Sequence, residues 1–553
     1  MARVALTFLA WFSVLLCGLP LLSVAWTATG GTLETWTQLS ETVLPRYLWA
    51  TVQLIFWVGL GTAIIGAVTA WLVVACEFPG RRVLEIALAL PFAFPAYVLA
   101  YAYTRLLDHP GAVQTYLRQI FEWGPRDYWF PEIRSLGGAA LMLVLVLYPY
   151  VYLLVRAAFI RQSATAYQAA RLLGHSPTSA FFRVCVPGVR PAIAGGVMLA
   201  LMETVADFGT VDYFGVQTFA TGIYQAWISF GDRPAASQLA LCLSMVAFIL
   251  IIVERVERGS RRHFEAGRRI EPLQRHQLRG RSAALAVAAC LVPVLGGFLV
   301  PVFVLLQMAV TSRQNPFTGR YVGFITNSLT VSAVSAVVIV GLAMAIGYRA
   351  RLFPSKMGEV SKTISSIGYA IPGSVIAVGV FVPLAGFDNL VDAYMRETFG
   401  LSTGLLLSGS IIVLIVAYAA RYMAAALSAF DTGIAQVKPT TDAVARSLGA
   451  REGRLIGRVH MPVMQASLLT GTLIVFVDVM KELPATLMLR PFNFDTLAVQ
   501  AYRLASDERL VQAAVPSLII VAFGLLPVIL LCKTIADSRI THHAERTAVA
   551  EAA

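Results

Sequence analysis

The sequence predicts an all-α polytopic membrane protein, and three observations carry that expectation. Hydrophobic residues make up 58% of the 553 positions and charged residues only 13%, against roughly 25% charged in an average soluble protein. Apolar runs of about 20 residues, the length that crosses a bilayer as a helix, recur along the whole chain. The second half repeats landmarks of the first at an almost constant offset. This balance excludes a soluble enzyme, a disordered chain and a disulfide scaffold.

The predicted spans, in order, are 5–27, 48–76, 83–107, 136–159, 191–213 and 236–256, then 283–310, 326–350, 359–385, 404–427, 466–489 and 512–534. The first is read as a retained helix rather than a cleaved signal, because the run is long and no clean small-x-small site follows it. Placing both termini in the cytoplasm puts most Lys and Arg in the inside loops, as the positive-inside rule requires. Net charge is +12, and that topology accounts for it. Basic residues do not alternate with aromatics as a base-stacking surface would, so no nucleic-acid partner is expected; membrane lipid is. The most basic stretch, Arg255 to Arg281, reads as a cytoplasmic linker with lipid-headgroup contact.

The six cysteines (Cys17, Cys76, Cys185, Cys242, Cys290 and Cys532) avoid the predicted outside loops, so no structural disulfide is expected. The seven histidines show no metal-ligand spacing, and His542 and His543 sit in the tail.

An internal duplication organises the chain. Gln168, Ala169, Ala170 and Arg171 lead to Gly174, and Ala443, Val444, Ala445 and Arg446 lead to Gly449, 275 positions later. Thirteen residues beyond each glycine stands a proline, Pro187 and Pro462. Glu203 matches Asp478, Asp207 matches Glu482, and Pro95 matches Pro372 at an offset of 277. The expected division is 1–256, a linker at 257–282, 283–534, and a tail at 535–553. Six spans in each half make the repeat parallel.

The repeated block falls between the fourth and fifth spans of each half. Ala-rich sequence favours a short helix, and the glycine permits a turn other residues resist. The proline then opens the next span, where its missing N–H matters little. The product is a helix–Gly–helix elbow facing the cytosol.

This block resembles the EAA loop of bacterial ABC importer permeases, with Gly and Pro spacing kept in both copies. The leading Glu of that pattern is Gln168 in one copy and Ala443 in the other. The resemblance implies two six-helix MetI-like repeats, with Gln168, Ala169, Ala170, Arg171, Gly174, Pro187, Ala443, Ala445, Arg446, Gly449 and Pro462 coupling the chain to ATPase subunits. The chain has no G-x-x-x-x-G-K-[ST] phosphate loop. It therefore needs no cofactor of its own and is not an enzyme; ATP and Mg belong to two copies of a separate ATPase. A periplasmic substrate-binding protein is the other implied partner, and the bacterial inner membrane the implied location.

The segments Glu203-Thr204-Val205-Ala206-Asp207-Phe208-Gly209-Thr210 and Lys481-Glu482-Leu483-Pro484-Ala485-Thr486, in a fused twelve-span layout, look like ferric-iron importer permeases. Permeases for thiamine or polyamines are the nearest alternatives, and an ion-gradient-driven transporter a more distant one. Glu203 and Asp207 are four apart, as are Asp478 and Glu482, so each pair would share a helix face. Ionisable groups at that depth usually face a cavity or a partner. These four are the substrate-path candidates for a cation, without a tight metal site. The alternative is helix-to-helix hydrogen bonding, with Lys481 neutralising Asp478 or Glu482. Tyr97, Tyr101 and Tyr103 are expected to pack as interfacial aromatics, with lining of the path as the alternative, and Pro95 and Pro372 to kink their spans.

Overall fold

The computed structural model describes residues 2–161, 170, 172–174, 176, 179, 183, 185–259, 275–312, 314, 318–368 and 371–551. Among the described residues eleven helices are long and apolar enough to cross a membrane, and one bent pair makes a twelfth crossing if it counts as a single span. The first half comprises α1 (Ala2–Ala28), α2 (Leu33–Thr42), α3 (Leu44–Ala75), α4 (Arg81–Ala87), α5 (Ala96–Leu107), α6 (Ala112–Phe121), α7 (Leu136–Arg161), α8 (Val186–Ala206), α9 (Gly209–Tyr213), α10 (Phe219–Tyr224) and α11 (Arg233–Gly259). The second comprises α12 (Arg281–Ser312), α13 (Gly319–Leu352), α14 (Lys356–Ile367), α15 (Gly373–Phe399), α16 (Ile411–Ile434), α17 (Pro439–Ser447), α18 (Glu452–Met480), α19 (Pro484–Leu489), α20 (Leu497–Ser506) and α21 (Leu510–Glu551).

The duplication is visible in where helices begin. Helices α3 and α13, α7 and α16, and α9 and α19 all start 275 residues apart, and α5 and α15 start 277 apart. The protein is therefore an all-helical, multi-pass membrane protein built on a repeated plan.

Two spans differ from expectation. The predicted third span (83–107) breaks at Pro95, and its two pieces, Arg81–Ala93 and Ala96–Phe121, meet at 97°. The predicted ninth (359–385) is likewise divided between α14 and α15. Pro95 and Pro372 are N-caps of α5 and α15 rather than kinks within a helix. A proline has no N–H to lose at a helix start, so a break is the favourable place for it.

The first helix of each half packs on the other half. Helix α1 lies against α13, α14, α15 and α16, and α12 lies against α3, α4, α5 and α7. Gly379 of α15 allows the closest of these approaches: a Cβ there would lie 2.3 Å from the Pro20 carbonyl oxygen. The Arg349 guanidinium donates to the Thr7 hydroxyl (2.9 Å), and the Tyr103 hydroxyl to the Gly296 carbonyl (2.7 Å). The exit of the basic stretch is also anchored: His276–Gln277 pairs in parallel with Cys76–Glu77.

At equivalent positions the halves use opposite charges for the same joint. Glu85 of α4 pairs with Arg156 of α7 at 2.5 Å, and Lys362 of α14 pairs with Asp431 of α16 at 2.6 Å. The first pair is buried and also holds Arg81 at 3.2 Å; the second is half-exposed.

Candidate coupling elbows and membrane cavity

The second elbow is described in full. Pro439 opens α17, and Asp442 in its first turn complements the helix dipole. The helix stops at Gly449, whose φ is +80°. The Ala450 N–H donates to the Ala445 carbonyl (2.9 Å) and the Gly449 N–H to the Arg446 carbonyl (3.0 Å), which is a Schellman C-cap. A Cβ on Gly449 would meet nothing within 4 Å, so only backbone conformation demands glycine here.

One carboxylate ties this elbow to the membrane body. Asp442 accepts from His460 Nε2 (2.9 Å) and from Arg351 Nε (3.0 Å), and Arg351 also donates to the Val437 carbonyl (3.0 Å). His460 is fully buried and stacks on Tyr348, with ring centroids 5.7 Å apart. Burial pushes the Asp442 carboxyl up, but the hydrogen bonds and charges of His460 and Arg351 outweigh it and hold it below the usual carboxylate range. Ala445 is buried, whereas Ala443, Val444 and Arg446 are exposed.

In the first elbow Gly174 has the same left-handed conformation, φ +87°, and Ala170 is buried. Gln168, Ala169 and Arg171 lie outside the described residues. Leu173 and Leu448, equivalent in the repeat, are 81% and 82% exposed. Pro462 is second in the α-helical run Met461–Met480, near its start as expected, but that run continues an earlier turn. Helix α18 already runs from Glu452, and a π-helical turn at Leu455–His460 precedes the proline. Pro187 is the second residue of α8, with π-helical Arg183 and Cys185 just before it. The wide turn makes room for the ring and its missing N–H.

The four carboxylates come together, though not by the predicted geometry. Helix α8 ends at Ala206, and Asp207 is already extended (φ −66°, ψ 132°). Helix α18 ends at Met480, two residues before Glu482. The shared helix face expected from four-residue spacing therefore does not form. Asp207 instead caps α9: it accepts from the Thr210 and Val211 N–H groups (3.1 Å each) and from the Thr210 hydroxyl (3.0 Å). Glu482 caps α19 in the same way, accepting from the Ala485 and Thr486 N–H groups (2.9 Å each) and the Thr486 hydroxyl (2.5 Å).

Glu203, Asp207, Asp478 and Glu482 nevertheless line one cavity of about 110 Å³ between the halves, with Phe92, Pro95, Tyr97, Arg421, Tyr422 and Lys481. Helix α8 begins at Val186, so Glu203 lies about 26 Å along it at 1.5 Å per residue. Lys481 pairs with Asp478 at 3.0 Å, and its Nζ stands 5.0 Å from the Phe92 ring centroid. Glu203 is half-buried and makes no hydrogen bond or ion pair among the described residues. Among the described residues, no group of three or more His, Cys, Asp and Glu side chains is placed to hold a metal ion.

Sequence reasoning missed Arg421. It lies in α16, is 8% exposed, and stands 5.6 Å from the Tyr422 ring centroid. Its guanidinium and the Glu482 carboxylate flank Gly373, where a Cβ would clash with both. An arginine in the middle of an apolar span was the available signal. Tyr97 and Tyr101 are buried, not interfacial; Tyr97 reaches across the halves to the Lys481 carbonyl at 3.3 Å.

At the end of the molecule opposite the elbows, Arg134 of the first half grips Glu508 of the second through two bonds of 2.6 and 2.8 Å and pairs with Asp108 at 3.1 Å. The hydrogen bond from Arg134 holds the Glu508 carboxyl below its ordinary range. Tyr502 donates to Asp212 at 2.5 Å across the same divide.

Left-handed glycines at equivalent places in the two repeated blocks and a charged cavity lined by both halves agree with the class the repeat resembles, the ABC importer permeases. Residues 63–262 match the family described as binding-protein-dependent transport system inner membrane component, a MetI-like permease domain. The chain is 25% identical to the Fe(3+)-transport system permease protein FbpB 2 of Haemophilus influenzae, over 87% of this chain and 88% of that one. It is 23% identical to the probable ABC transporter permease protein y4fN of Sinorhizobium fredii, over 87% and 86% of the two chains. The molybdenum transport system permease protein ModB of Escherichia coli K12 is 28% identical, over 35% of this chain but 86% of its own. The chain is thus an ABC importer permease that resembles fused ferric-iron permeases along most of its length. Membership of this class implies ATPase and substrate-binding partners.

Proposed function

We propose that this permease forms the path for ferric iron and couples it to ATP hydrolysis on two copies of a separate ATPase. The elbows around Gly174 and Gly449 would each dock one ATPase subunit on the cytoplasmic side. Their equivalent leucines, Leu173 and Leu448, are almost fully exposed, and such apolar side chains favour burial in a partner's groove. Both termini lie in the cytoplasm in this reading, and a periplasmic binding protein delivers the ligand at the opposite face. ATP and Mg stay on the ATPase, and this chain holds no cofactor.

The observation that carries the substrate is the convergence of four carboxylates from both halves on one cavity. Carboxylate oxygens suit a hard trivalent cation. The whole-length likeness to an Fe(3+) permease points the same way. A second reading, an oxyanion path, draws on Arg421 and Lys481 in the same cavity and on the likeness to a molybdenum permease. Uptake of radiolabelled ferric iron, molybdate and sulfate by cells lacking this chain, with and without its restoration, separates them. Restored iron uptake alone supports the proposal; restored molybdate or sulfate uptake alone replaces it.

A further inference from the structure

Arg421 and Lys481, the two cations that line the cavity among the described residues, both lack a charged repeat equivalent, Arg421 corresponding to Val146. Lys481 corresponds to Ala206, 275 residues earlier. Lys481 lines the cavity together with the equivalent carboxylates Glu203 and Asp478. The ammonium bonds Asp478 at 3.0 Å, and Glu203 is close enough for its charge to act on it. Glu203 has no hydrogen bond or ion pair of its own among the described residues. Asp207 and Glu482, by contrast, are committed to capping helices. A half-buried, unbonded carboxylate deep in a membrane protein is costly unless a cation compensates it.

We propose that Lys481 is a tethered counter-cation: in the unloaded path its ammonium holds the place between Glu203 and Asp478 that a transported metal cation takes. The displaced ammonium has a second seat, since Nζ already stands 5.0 Å from the Phe92 ring centroid. Competition from Lys481 keeps the site weak, which suits a path that must release its cargo. The inference rests on the cation reading above and assigns Lys481 as the residue that sets retention.

The test uses the permease purified with its ATPase subunits and ferric nitrilotriacetate as the probe. Iron retained after gel filtration is measured for wild type, K481M, K481R and E203Q/K481M. K481M is expected to bind iron at least about tenfold more tightly, since one unit charge a few ångströms away is worth more than 1.4 kcal/mol at protein dielectric. Transport in K481M should slow as release becomes limiting. K481R should behave as wild type, and E203Q/K481M should lose the gain. Equal retention in K481M and wild type, with unchanged uptake, would overturn the proposal while leaving the cation reading intact. Loss of molybdate retention in K481M, with iron never retained, would instead overturn the cation reading itself. If K481M fails to insert, K481Q and E203Q answer the same question. Retention must rise in the first and fall in the second, and no change in either overturns the proposal.

Discussion

Removing the Glu482 carboxylate should destabilise the fold, whereas removing Glu203 should leave stability unchanged. In Glu482→Ala the buried Ala485 and Thr486 N–H groups lose their acceptors. The Thr486 hydroxyl does not, because Tyr418 stands 2.7 Å away and the Glu482 backbone carbonyl also accepts from it. Each unsatisfied buried N–H costs about 1–3 kcal/mol, so the loss is about 2–6 kcal/mol. Asp207→Ala removes a similar cap from the equally buried Thr210 and Val211 N–H groups, but the Asp207 carboxylate is less buried than that of Glu482 and water can take its place, so the loss is nearer the ordinary N-cap value of about 1–2 kcal/mol. Glu203→Ala breaks no hydrogen bond and should fall within about 0.5 kcal/mol of wild type. The assay is the midpoint of heat-induced loss of the monodisperse gel-filtration peak in detergent. The expected order of destabilisation is Glu482→Ala, then Asp207→Ala, then Glu203→Ala indistinguishable from wild type. Equal loss in Glu203→Ala and Glu482→Ala would refute the division into capping and unbonded carboxylates.

Other consequences concern the elbows and the opposite face. Gly449→Ala should cost about 1 kcal/mol through its left-handed backbone alone, and Gly449→Asn less; limited proteolysis of the elbow reads the difference, and no change in either variant contradicts the Schellman cap. Arg134→Glu should raise basal ATP hydrolysis by the complex through loss of a tie between the halves, and the exchange R134E/E508R should restore it; failure of the exchange to restore it would mean that Arg134 acts otherwise. Because the folded Asp442 carboxyl is held below its ordinary value, the elbow contact is fully present above about pH 4 and is lost as pH falls through the folded value. Pepsin cleavage within 437–447 should therefore rise as pH drops from 4 to 2 in wild type but stay flat in Asp442→Asn.

The duplicated plan was legible because Gly and Pro impose backbone requirements that survive when other residues change. Gly174 and Gly449 both occupy the left-handed region, and Pro95 and Pro372 both cap helices after a break. The breaks themselves were hidden. Apolar sequence runs on through Phe208 to Val211 and through Leu483 to Leu489, so hydropathy extended spans five and eleven past the points where α8 and α18 stop. Asp207 followed three residues later by Thr210 was a capping signal that hydropathy overrides. The crossing of α1 and α12 onto opposite halves had no signal in pattern, since a helix apolar all round does not announce which face meets which neighbour. Clustering of the four carboxylates in one cavity was expected for the wrong geometric reason. The paired helix ends, not a shared helix face, bring them together.

The central claim is that this chain couples delivery of ferric iron to hydrolysis by its ATPase. ATP hydrolysis by the reconstituted permease–ATPase complex tests it most directly, with binding proteins loaded with ferric iron, molybdate, thiamine or spermidine. The account predicts stimulation by the iron-loaded protein alone, abolished in a G174V/G449V double variant that still assembles. Stimulation by another loaded protein and not by the iron-loaded one would contradict it.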